Sequence, residues 1–112
     1  MKLLMIVLNQ VEKLDKMLEE FINAGIHGAT IINSTGMVSE LAKNIEYYPI
    51  IGSLRFITEG PRTESKTIFM VLDDEKAEKA KEIVRRIIGD LSKPNTAVIF
   101  TMPILSAEGI EI

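Results

Sequence analysis

Lys66-Thr67-Ile68-Phe69-Met70-Val71-Leu72-Asp73-Asp74-Glu75-Lys76-Ala77 is the stretch that decides the fold, because the hydrophobic period changes inside it. Residues 66–72 are rich in β-branched, aromatic and long apolar side chains, which suit a strand. After the two aspartates, Ala77, Ala80, Ile83, Val84, Ile87 and Ile88 recur every three or four positions, the apolar stripe of a helix. Asp73 or Asp74 can accept the free N–H groups of its first turn, and Glu75 suits the positive end of its dipole. Glu75–Lys79 and Glu82–Arg86 are spaced to pair along its wet side, and Gly89 closes it.

The first half of the chain repeats this plan. Residues 3–8, Leu3-Leu4-Met5-Ile6-Val7-Leu8, are apolar at every position and predict a strand covered on at least one face. Asn9 or Gln10 then opens a helix of about four turns, with Val11, Leu14, Leu18, Phe21 and Ile22 on one side. Gly25 is placed to take positive φ after its last turn. A second strand is predicted over residues 29–34, ended by Gly36, and a fourth over residues 97–102, after the Ser92-Lys93-Pro94-Asn95 turn. The tail can add a short edge strand ending Ile110-Glu111-Ile112.

The order is β-α-β, an excursion over residues 37–65, then β-α-β. Two such halves predict one ferredoxin-like α+β domain over residues 1–112: a four-stranded antiparallel sheet with two helices on one face. Inside the excursion, residues 37–44 suit a short helix or a loop. Tyr47-Tyr48-Pro49 then breaks any helix, and residues 50–57 are apolar enough to pack. Both helices cover one side of strands that are apolar on both. Exposing the other side costs about 25 cal/mol per Å², so self-association is expected.

Composition narrows the function. The net charge is −3 with acids and bases interleaved, which lacks the basic footprint of a DNA- or RNA-binding protein. There is no cysteine, hence no disulfide, thiolate nucleophile or cysteine zinc site. Residues 3–8 are too short an apolar run for a signal peptide, and no stretch reaches the roughly 20 residues that insert across a bilayer. A cytoplasmic protein is the expectation.

Catalytic motifs are missing. There is no glycine-rich phosphate cradle, no serine in a nucleophile elbow, and His27 is the one histidine. In the Gly25-Ile26-His27-Gly28 turn, His27 reads as an exposed or capping residue. The six methionines read as core filler. Arg62, Lys66 and Lys93 flank glycine- or proline-containing turns, where they could meet an anionic ligand or simply be solvated. A binding module, not an enzyme, is expected, with no resident cofactor and no metal.

End to end, the chain resembles the divergent, PII-like branch of the PII nitrogen-regulatory signalling family. The resemblance rests on an ordered set: the apolar first strand, Ala24-Gly25-Ile26-His27-Gly28-Ala29-Thr30, Gly36, the long excursion where the family carries its T-loop, Val71-Leu72-Asp73-Asp74, and Ile99-Phe100. It implies a homotrimer whose sheets face one another and whose small effectors bind in clefts between subunits. The excursion would then report that state to a protein partner, an enzyme or transporter such as those of nitrogen or carbon metabolism.

On this basis the effector cleft is expected at Gly36, Met37, Arg62, Lys66, Lys93, Asn95 and Thr96, and the docking loop at Tyr47 and Tyr48. An adenine nucleotide is one effector the resemblance suggests. The family's Gly-x-Gly-Lys run, however, is replaced here by Ser92-Lys93-Pro94-Asn95-Thr96, and residues 101–108 carry no arginine. Each missing charge-assisted hydrogen bond forfeits roughly 1.5–3 kcal/mol, so a triphosphate in the family's usual pose is disfavoured. Two alternatives share the architecture: a divalent-cation-tolerance-type trimer, and a small ferredoxin-like enzyme using His27 or the tyrosines.

Overall fold

The structure, a computed structural model, describes residues 1–42 and 64–110. Arg62, Tyr47, Tyr48, most of the expected excursion, and Glu111 and Ile112 lie outside the described residues.

The chain runs β1 (Lys2–Leu8), a 3-10 turn (Val11–Lys13), α1 (Leu14–Asn23), β2 (Thr30–Ser34), α2 (Met37–Ala42), β3 (Ser65–Leu72), α3 (Asp74–Ile88) and β4 (Ala97–Pro103). The strands form one sheet in the order β2-β3-β1-β4, with every neighbouring pair antiparallel. This is the ferredoxin-like α+β fold. β1 and β3, apolar along most of their length, take the centre, where both edges are paired.

Pleat and register divide the sheet into two faces. Leu4 and Ile6 of β1 stand opposite Met70 and Ile68 of β3, and Leu8 stands opposite Ala97 of β4. These side chains are buried together with Met17 and Phe21 of α1 and with Ala77, Ala80, Ile83, Val84 and Ile88 of α3. The stripe read from sequence is therefore the inner face of α3, with Ile87 at its margin.

Local chemistry ends the helices where expected. The Asp73 carboxylate accepts the Lys76 N–H at 2.8 Å, so Asp73 is the cap and Asp74 the first helical residue. Gly25 takes φ +85°, and the Ile26 N–H then donates back to the Phe21 carbonyl at 2.9 Å. That wrap closes α1 and drops Ile26 into the core.

Five expectations change. Ile22, read as part of the apolar side of α1, is 58 % exposed, and Met17 joins Phe21 in the core instead. Of the six methionines read as core filler only Met17 and Met70 are buried, while Met1, Met37 and Met102 are exposed. Arg86 reaches across to Glu20 of α1 at 2.8 Å rather than along its own helix to Glu82, because α1 packs beside α3. Ser65 belongs to β3, not to the excursion, and the excursion begins with α2. Beyond Pro103, residues 104–110 form no strand; Ile104 N–H bonds weakly to the Met1 carbonyl and the chain leaves the β4 edge.

Candidate functional site

One sheet face carries the helices; the other carries none of the described elements. It presents Leu3, Met5 and Val7 from β1, Phe69 and Val71 from β3, Val98, Phe100 and Met102 from β4, and Ile32 from β2. The outer strands leave these side chains most open: Ile32 is 48 %, Phe100 48 % and Val98 46 % exposed. A continuous apolar face of this kind is unusual on a lone small domain.

At the excursion end of this face lies a group of hydroxyls. Ser34 Oγ is 2.7 Å from Ser65 Oγ and 2.8 Å from Thr67 Oγ1, and Ser65 is buried. The trio satisfies its own hydrogen bonds, which lets three polar groups sit at the border of an apolar surface. Strand alternation alone gives no signal for it; cross-strand register does.

The described members of the expected cleft gather at this same end of the sheet. Asn33 pairs with Lys66, Lys66 with Leu8, and Leu8 with Ala97, so one row crosses all four strands. Gly36 and Met37 follow β2 at one side of the row, and Lys93, Asn95 and Thr96 precede β4 at the other. Three interstrand spacings separate β2 from β4, about 14 Å. The two groups are therefore on opposite edges and are not brought together within one chain.

Several of these residues already have structural partners. The Lys66 ammonium donates to Asn33 Oδ1 across the β2–β3 pair. The Thr96 hydroxyl donates to the Lys93 carbonyl at 2.9 Å, while the Thr96 carbonyl accepts the Asn9 N–H at 2.9 Å, tying the turn to the end of β1. Asn95 sits at φ +59°, a left-handed position that asparagine tolerates. The Gly36 carbonyl accepts the Glu40 N–H at 2.9 Å, the first helical bond of α2. Among the described residues nothing approaches Gly36 closely enough to require a glycine there. Met37 and Lys93 project freely, with Met37 77 % exposed.

Gln10 joins this end unannounced by the sequence. Its side-chain oxygen is buried without a hydrogen-bond partner among the described residues, and its backbone N–H points at the Thr96 carbonyl. An acceptor left so costs about 1–3 kcal/mol.

Two cavities among the described residues lie elsewhere. The larger, about 660 Å³, is at the opposite end of the sheet. Here β3 continues past the start of β2, and the Gly25 to Thr30 segment, Lys76 and Ile110 form the walls. His27 lines it and is exposed, as expected for that turn. None of the described cleft residues borders it. The second, about 400 Å³, follows the free edge of β4 beneath Lys81 and Arg85 of α3.

Among the described residues, no group of three or more histidine, aspartate and glutamate side chains is arranged to hold a metal ion. No helix among them is long and apolar enough to cross a membrane. Comparison with family models finds no match, and none of the curated proteins matches the chain.

Proposed function

We propose that this chain is a cytoplasmic PII-like regulator. Three copies would bury their open sheet faces against one another, and a small anionic or polar effector would bind where the edges of two copies meet. The single observation that carries the reading is the open apolar face, which other copies of the same chain would cover. The distribution of the cleft residues supports it too. Gly36 and Met37 follow edge strand β2, Lys66 lies on central β3, and Lys93, Asn95 and Thr96 precede edge strand β4; β2 and β4 are about 14 Å apart. Edges from neighbouring copies can face each other across a cleft.

In this reading the protein is not an enzyme. Effector binding favours one arrangement of residues 37–64 over another, and a partner enzyme or transporter reads the difference; a ligand shifts that balance only by its differential affinity. The turn before β4 has no glycine, and Pro94 lacks an N–H, so the effector is expected to be something other than a triphosphate in a glycine cradle.

The test couples mass to binding. Sedimentation analysis is expected to give three copies, and calorimetry against AMP, ADP, ATP, cyclic dinucleotides, S-adenosylmethionine, bicarbonate and 2-oxoglutarate is expected to find one effector, lost on Lys93→Ala. A single copy at all concentrations would overturn the proposal. Stoichiometric uptake of copper or zinc would reassign the chain to a divalent-cation-tolerance role.

A further inference from the structure

β4 is an edge strand built without the usual defences. Ala97-Val98-Ile99-Phe100-Thr101-Met102 carries no charge and no internal proline, and nothing among the described elements pairs with its outer side. Bare N–H and C=O groups along such an edge are a template for another strand. Natural sheets commonly block that with lysine, proline or a covering loop.

The two sides of this edge differ in chemistry. Towards the helices the edge borders the 400 Å³ groove, floored by Leu91, Ala97 and Ile99 and overhung by Lys81 and Arg85. Lys81 is shared with Glu78 at 2.7 Å, whereas Arg85 has no ion-pair partner among the described residues. Glu78 is held below the usual carboxylate range by that lysine, with Arg85 adding to the positive field. Towards the open face, the same edge displays Val98, Phe100 and Met102.

From this pairing we infer that the β4 edge is a docking site for an extended segment of a partner protein in which acidic and apolar residues alternate. Added as a fifth strand, the segment satisfies the β4 main chain. Its period of two sends carboxylates under Arg85 and Lys81 and apolar side chains beside Val98 and Phe100. A basic segment meets repulsion on one side, and a uniformly polar one leaves the other side bare. The segment shares Val98 and Phe100 with the face the proposed trimer would cover, so a second copy on this edge and a partner strand exclude one another there, and the concentration dependence below tells them apart.

The probe is a blocked peptide of alternating valine and glutamate, added to the full chain and followed by amide chemical shifts and hydrogen exchange. The expected result is protection of the β4 amides that point away from β1. Arg85→Glu, which changes an exposed side chain, should weaken binding roughly tenfold or more and shift preference to the corresponding valine–lysine peptide. Proline at the central peptide positions should abolish binding. No protection along β4, or affinity indifferent to Arg85→Glu, overturns the inference. Protection of the same amides that grows with protein concentration in the absence of peptide overturns it too, since a second copy then covers the edge.

Discussion

Phe100→Asp tests the open face most directly. In a single chain Phe100 is 48 % exposed, which leaves about 100 Å² of a side chain of roughly 200 Å² in water. Covering that remainder contributes about 2.5 kcal/mol per copy at 25 cal/mol per Å². Three copies therefore lose about 7 kcal/mol of assembly free energy, some five powers of ten in the overall association constant. The aspartate charge adds a desolvation cost of its own. The lone subunit should barely notice, because Phe100 faces away from the helices and the core: a change within about 1 kcal/mol is expected from strand preference alone. Sedimentation velocity across a dilution series reads the first effect, and the concentration dependence of the melting temperature reads it independently. The wild type should assemble and melt higher at higher concentration, while the variant runs as one copy with a fixed melting temperature. A variant that assembles as well as the wild type refutes the reasoning. A wild type that never assembles refutes it equally.

Three further outcomes are expected. Phe21→Ala, in a side chain only 2 % exposed between α1 and the sheet, should cost about 3–5 kcal/mol in urea denaturation. Asp73→Ala should cost about 1 kcal/mol while Asp73→Asn costs much less, because either carboxylate or amide oxygen can accept the Lys76 N–H. Asp90 accepts the Ser92 N–H at 2.9 Å and the Ser92 hydroxyl at 2.6 Å, and these bonds hold its carboxyl below the usual carboxylate range. Its folded value thus lies under its unfolded one, so the stabilisation is complete above the unfolded value and is lost as pH falls through the folded one. The Ser92 amide resonance should therefore move only below the ordinary aspartate range, and Asp90→Asn should remove that movement.

Features that depend on near neighbours are legible in the order of residues alone. A run such as Leu3 to Leu8 has to be covered, a stripe at helical spacing has to face a core, and Asp73 and Gly25 end helices through bonds made within five residues. These choices hold whatever packs above them, which is why the elements and even the existence of an uncovered face were legible. Features set by pairing across the chain emerge only once the sheet and helices have packed. Register put Ser34, Ser65 and Thr67 in contact although 31 or more positions separate β2 from β3. Helix packing gave Arg86 to Glu20 instead of Glu82. Strand order put Lys66 on central β3 and Lys93 in the turn before edge strand β4, although they look like members of one site in sequence. The same order left β4 on the outside, with Arg85 above it. Nothing local distinguishes an edge strand from a central one when both are apolar; only the finished sheet shows which ladder of main-chain groups is left open.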